Sequence, residues 1–365
     1  MSDTPSDALE AFSAGLAIPV PLASIERELA SLWRLASRNG DDAGGSAVTR
    51  ACLWNLIVYI ADESGFHGAK RLVDEISPRL PARVLVLKTD RSAATTRPRA
   101  WIEANWHKVG GGGRQIGSEE LTIEGNGGAV DDLAPVVRAL LVPDVPTAAL
   151  WWGPSPDAGS ALDVELLSAA DRIIVGGDGE DDLGNLGRLF GDVSRFRAQP
   201  IALAWLRLGP WRQLLASLFD PPAPIEDVRS VERVEIVCPP ERAGAALLFL
   251  GWLASRLGWS RGHRVEAGRY TFNRSGDEVG AEITLQRDAA DPIAAIALYT
   301  GGGEYSLARH EGAVILNTPT IACRAPLVEL TEAELWLAAL SGQGRDPLFT
   351  KALGIASQLA MDVQP

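Results

Sequence analysis

The residues best placed to do chemistry are Gly176-Gly177-Asp178-Gly179, because an apolar strand leads into them and a helical pattern leads out. Backbone N–H groups at such a turn can cradle a phosphate, with the helix amino terminus adding favourable charge. The spacing is not G-x-G-x-x-G, however, and Asp178, Glu180, Asp181 and Asp182 crowd the loop with carboxylates that oppose a pyrophosphate. The loop therefore reads as an acidic turn. Glycines 110–113 and 301–303 read as hairpin tips. No G-x-x-x-x-G-K-[ST] and no G-x-S-x-G occurs. His67, His107, His263 and His310 stand singly, and His310-Glu311 lacks the second histidine of a zinc helix. Lysine is confined to positions 70, 88, 108 and 351, which leaves few candidates for a Schiff base. Carboxylates are abundant, yet the sequence singles out no acid/base pair.

What remains is aromatic and cationic. The chain carries 11 tryptophans against 4 tyrosines. Trp151 and Trp152 end an apolar strand, where alternation sends neighbouring side chains to opposite faces. One ring can anchor a core while the other meets a second layer, a groove or a partner. Trp205 and Trp211 fall in or just before loops beside Arg207 and Arg212, and Trp252 and Trp259 straddle a helix end. Tryptophan and arginine are the residue types that anchor interfaces. The candidate partner-binding residues are accordingly Trp151, Trp152, Trp205, Arg207, Trp211 and Arg212. No catalytic residue, cofactor ligand or metal ligand is assigned.

Composition narrows the partner. A formal net charge of -13 repels phosphate backbones and anionic membrane surfaces, so neither nucleic acid nor membrane is expected. The amino terminus has no basic n-region followed by an apolar core, and no apolar run reaches the length of a membrane span. Cys52, Cys238 and Cys323 are widely separated and read as small buried hydrophobes in a reducing cytosol.

The elements that must position these residues follow from periodicity. Residues 1–20 are small and polar and read as a mobile tail; an amphipathic helix follows from Leu22 (Leu22, Ile25, Leu29, Leu32, Trp33, Ala36), then a Gly/Asp-rich linker, closing a segment 1–45. That helix either packs on the body or is offered to a partner. Across 46–222 strands (49–60, 83–87, 101–109, 116–123, the one that follows the Pro-Asp-x-Pro turn and ends on Trp151-Trp152, and 172–175) alternate with helices. This predicts an α/β domain with a mixed, mostly parallel sheet and helices on both faces. Asp220-Pro221-Pro222-Ala223-Pro224 marks the boundary. Beyond it, 223–365 predicts an α+β domain: a strand at 231–237, a helix at 241–257 apolar almost all round, an antiparallel meander, and terminal helices opened by the capping box Thr331-Glu332-Ala333-Glu334.

Four segments, in order, resemble the glucose-6-phosphate dehydrogenase assembly protein (OpcA) family. They are TRACLWNL at 49–56, LLVPDVPTAALWWGPSP at 140–156, LAWLRLGPWR at 203–212 and LLFLGWLASRLGW at 247–259. The resemblance covers most of the chain from about Glu26. It implies a cytoplasmic, non-catalytic accessory protein that binds glucose-6-phosphate dehydrogenase and promotes its assembly into, or stabilises, the active oligomer. It supplies no catalytic residue. Two other readings stay open: an α/β enzyme acting on a sugar phosphate or nucleotide, with the 176–182 loop near its site, and a ligand sensor that regulates the dehydrogenase.

Overall fold

The computed structural model describes residues 10–12, 14–42, 48–50, 52–61, 65–109, 114–152, 160–176, 180–191, 198–220, 225–289, 292–342 and 346–362. The expectations for residues 1–9, 43–45, 110–113, 153–156, 177–179 and 221–224 lie outside them. The chain forms two compact units, Met1–Val175 with Ser194–Pro200 and Gly176–Val193 with Ile201–Pro365.

In the first unit the elements run β1 (Ile18–Val20), α1 (Ile25–Asp42), β2 (Val48–Arg50), β3 (Trp54–Ile60), α2 (Phe66–Ile76), β4 (Ala82–Asp90), β5 (Arg99–Val109), β6 (Arg114–Asn126), α3 (Leu133–Leu140), β7 (Thr147–Trp152), α4 (Ala161–Ala169), β8 (Arg172–Val175) and β9 (Gln199–Ala202). The sheet order is β1-β5-β6-β4-β3-β7-β8-β9, with β2 beside β6. From β6 to β8 every pairing is parallel. Central strands covered on both faces must be apolar throughout, which is why β3 reads WNLIVYI with six of its seven residues buried. Set aside β1, β2 and the antiparallel β5, and the strands lie in the chain order 3-2-1-4-5-6, the doubly wound order of dinucleotide-binding (Rossmann) sheets. The order reverses between β3 and β7.

Part of the expected tail is docked. Ile18–Val20 pairs with β5, and the buried Phe12 ring meets Trp33 edge to face at 5.6 Å. Apolar side chains at Phe12 and Trp33 offset the ordering of this segment. The expected linker is also shorter, because α1 continues to Asp42.

Buried charge in this unit is paired. Glu103 and Glu120 face one another across β5 and β6, and Lys70 of α2 bridges them at 2.9 and 2.7 Å. Burial alone would lower the Lys70 pKa, but the two carboxylates more than offset it and hold the ammonium above its usual range. Arg83 is held the same way by Glu119 at 2.7 Å and by Glu26 of α1, and it donates to the Leu140 carbonyl at 2.7 Å.

The second unit contains α5 (Glu180–Gly191), α6 (Leu203–Arg207), α7 (Gly209–Ser217), α8 (Ile225–Arg229), β10 (Arg233–Cys238), α9 (Ala243–Leu257), β11 (Ser260–Glu266), β12 (Arg269–Arg274), β13 (Asp277–Leu285), β14 (Ala295–Thr300), β15 (Gly303–His310), β16 (Ala313–Asn317), β17 (Ala322–Pro326), α10 (Glu332–Ser341) and α11 (Pro347–Met361). Its sheet runs β11-β12-β13-β10-β14-β15-β16-β17. The meander is therefore two antiparallel ladders parted by β10, which lies parallel to β13 and antiparallel to β14. Helix α9 is buried almost all round, and Gly251 lets the backbone of α11 approach at Ala352, where a β-carbon would collide with the carbonyl oxygen. The capping box closes as expected, with Thr331 N–H donating to Glu334 at 2.9 Å.

Candidate functional site

In an open α/β sheet a ligand sits outside the carboxyl ends of the strands, where the strand order reverses. Here that point lies between Ile60 and Trp152, the last residues of β3 and β7, which are register partners. A single buried side chain fixes how β7 arrives there. Asn55 Nδ2 donates to the carbonyls of Val142 at 3.0 Å and Val145 at 3.2 Å, and its Oδ1 accepts from Val142 N–H at 2.9 Å. It clamps the Pro-Asp-x-Pro turn, whose Asp144 adopts a positive φ of 60°. Two of the four sequence motifs are thereby tied together.

The adjacent tryptophans part as alternation requires. Trp151 is fully buried and packs on Tyr59 at 5.5 Å. Trp152 faces the other side, half-buried, against the start of α2. A β-carbon on Gly65 would lie 2.8 Å from its Cδ1, and one on Gly68 2.8 Å from its Cζ2. Both contacts are closer than a real β-carbon makes, so the indole lies directly on the glycine backbone. Those glycines belong to Glu63-Ser64-Gly65-Phe66-His67-Gly68, which is G-x-G-x-x-G with glutamate at the first glycine. In a dinucleotide-binding sheet this turn approaches the pyrophosphate; here Trp152 covers the two glycines that remain.

The other groups at this edge are engaged with one another. Asp90, at the end of β4 where such sheets carry a ribose-binding carboxylate, accepts from Ser92 Oγ at 2.7 Å, Ser92 N–H at 2.9 Å and Ala93 N–H at 3.1 Å. These bonds hold its carboxyl below the usual range. Arg91 donates to both oxygens of Asp131, at 3.0 and 3.3 Å, and to Ser160 Oγ at 2.5 Å. Ser160 in turn caps α4 through the Asp163 N–H. Burial, with the nearby Asp163 charge, raises the Tyr59 pKa. The loop at 176–182, which the sequence marks as an acidic turn, follows β8, one strand outward from the reversal.

The remaining candidates lie in the second unit. Trp205 and Trp211 are buried, and Arg207 and Arg212 are half-buried. Arg212 stacks on Trp205, its guanidinium carbon 3.3 Å from the ring centroid, while Trp205 Nε1 donates to Asp346 at 2.7 Å. Asp346 also caps α11. Burial pushes the Arg212 guanidinium down to about 10, against the pull of Asp346. Trp205, Arg212 and Asp346 therefore form one joint between α6, α7 and α11, buried at Trp205 and open to solvent at Asp346. Arg207 and Trp211 instead border a cavity of about 390 Å³ with Arg309, Glu329 and Leu330. The structure thus gathers four candidates in this region and places Trp151 and Trp152 at the reversal of the other sheet. Cys52 is half-buried, Cys238 buried and Cys323 exposed, all as free thiols. Among the described residues no helix is long and apolar enough to cross a membrane.

Parts of the chain match known proteins. Residues 73–188 match the model for the glucose-6-phosphate dehydrogenase subunit N-terminal domain, and residues 200–353 that for its C-terminal domain. A candidate OxPP cycle protein OpcA of Nostoc punctiforme is 26% identical over 328 residues, covering 80% of this chain and 68% of its own. Its counterpart from Synechocystis sp. is 36% identical over 147 residues, 39% of this chain and 30% of its own length. Among solved structures, a biliverdin reductase from Synechocystis sp., determined with biliverdin and NADP+, is 10% identical with a TM-score of 0.46, covering 85% of this chain and 98% of its own. Likeness at that level bears on neither ligand nor activity.

Proposed function

Because the chain belongs to the glucose-6-phosphate dehydrogenase subunit (OpcA) family, matching both of its domain models, we propose that it is a non-catalytic accessory protein of the oxidative pentose phosphate pathway. It binds glucose-6-phosphate dehydrogenase in the cytoplasm and promotes or stabilises the active oligomer. One observation carries the non-catalytic part: Trp152 lies on Gly65 and Gly68, where a sheet of this order would admit a dinucleotide. The enzyme and sensor readings at that edge both need the crevice open, so this contact weighs against them.

An accessory protein of this kind works by binding the competent oligomer more tightly than its incompetent forms, and it shifts the population by that difference in affinity. Trp152 and Arg207, half-buried, serve as contacts. Trp151, Trp205, Trp211 and the Trp205–Arg212 stack hold the backbone that presents them. The test is co-purification with the dehydrogenase of the same organism, followed by activity at limiting enzyme. A stable complex with raised activity is expected; no complex and no activation would sink the reading.

A further inference from the structure

A groove of about 690 Å³ lies between α7, α8 and α9 of the second unit. Its interior is apolar, with Phe219, Trp252 and Leu253, and its rim carries Arg229, Arg256 and Arg274 from three different elements, with the single carboxylate of Asp277 paired to Arg274 at 3.6 Å. The walls are fixed. Tyr305 O–H donates to the Asp227 carboxylate of α8 at 2.6 Å, and the Phe219 ring stacks on Tyr305 at 4.6 Å. Gly302 makes room for this, since a β-carbon there would collide with the Asp227 carboxylate. Arg274 Nη1 donates to the carbonyls of Arg229 at 2.9 Å and Val231 at 2.6 Å, which locks the end of α8. Arg229 and Arg256 are left exposed, with no ion pair or side-chain hydrogen bond among the described residues.

An acidic chain that sets three arginines against one carboxylate around an apolar hollow has reversed its own surface charge there, and the sign of the occupant follows. We propose that this groove docks an acidic segment of a protein partner, with one apolar side chain seated against Trp252 and flanking carboxylates on Arg229 and Arg256. A small anion would call for buried, convergent donors. Here the two unpaired cations stand exposed at the rim of an apolar interior, the anatomy of a protein interface. Tryptophan and arginine are its usual anchors. The proposal rests on the reading that the dehydrogenase is the partner, and places the contact.

The experiment compares Arg229→Glu and Arg256→Glu with Arg287→Glu, an exposed arginine outside the groove that changes net charge equally. Affinity of each full-length protein for the dehydrogenase is measured at low and moderate salt. Each groove variant should bind at least about tenfold more weakly at low salt, with a flatter salt dependence, while Arg287→Glu stays close to wild type. Equal weakening in all three, or none in the groove variants while wild type binds, overturns the proposal. So does stabilisation of wild type, but not of the groove variants, by inorganic phosphate, since that marks a small-anion site. Failure of wild type to bind removes the parent reading and this one together.

Discussion

A β-carbon on Gly68 would stand 2.8 Å from Cζ2 of Trp152, so the first turn of α2 can lie where it does only because the residue beneath the indole is glycine. In an ordinary helix interior Gly→Ala stabilises by roughly 0.5–1 kcal/mol. Gly68→Ala should instead destabilise this protein by about 1–3 kcal/mol, the cost of overpacking. Adding Trp152→Ala removes the collision, so the double variant should lose less than the sum of the two single losses. Urea unfolding of the four proteins checks this; simple additivity would mean that the ring moves aside.

Lys70 carries a second test. It separates Glu103 from Glu120, which face each other directly across two strands. Lys70→Met should cost about 3–5 kcal/mol, because it leaves buried carboxylates without their counter-charge. Glu120→Gln in that background should recover much of the loss, since one of the two facing charges is then gone. Thermal melts at neutral pH suffice, and a Lys70→Met protein of wild-type stability would refute the bridge.

Stability and recognition should separate at the third sequence motif. Trp211 is buried, and Trp211→Ala should cost about 3–5 kcal/mol of folding free energy. Arg207 is half-buried and lines the cavity, so Arg207→Ala should cost much less folding free energy than Trp211→Ala and weaken the dehydrogenase complex by about 1–3 kcal/mol. An Arg207→Ala protein with normal affinity would take this residue out of the contact.

The Tyr305–Asp227 bond predicts a pH dependence. Burial first, then the hydrogen bond to Asp227 and its charge, push the phenol up to about 12 from the 10.0 of a free tyrosine. Between those values the unfolded chain releases a proton that the folded chain keeps. The contribution is therefore whole below pH 10 and is lost as pH rises to about 12. Urea midpoints should fall across that window, and less steeply in Tyr305→Phe. Equal slopes would show that the phenol titrates normally.

Much of this architecture is written in residue patterning, and the exceptions have causes. Strands such as β3 and β4 announce themselves because burial on both faces demands an unbroken apolar run. Strands β11 and β17 do not, because they are sheet edges whose residues (SRGHRVE, ACRAP) are mostly exposed and carry little alternation. Alternation also separated Trp151 from Trp152, but which of them stayed in the core depended on the packing of α2 against β7. The crevice was hidden for a different reason. Strand order is a matter of pairing, which composition does not record, and Glu63 breaks the glycine pattern at its first position. Arg229, Arg256 and Arg274 were invisible as a group because they come from three elements.

Strand β10 occupies the middle of its sheet yet is made first, and both of its neighbours, β13 and β14, are synthesised well after it. On the ribosome its two edges must stay open while the β11–β13 ladder forms from local hairpins, and only then is the first of them covered. Closing the second edge waits for β14. Such late, long-range pairing raises contact order and slows folding, and an open apolar edge invites association with other chains. A chain that ended in the 286–294 connection would hold β10 half-paired, exposing one edge of a strand that the finished protein pairs on both sides.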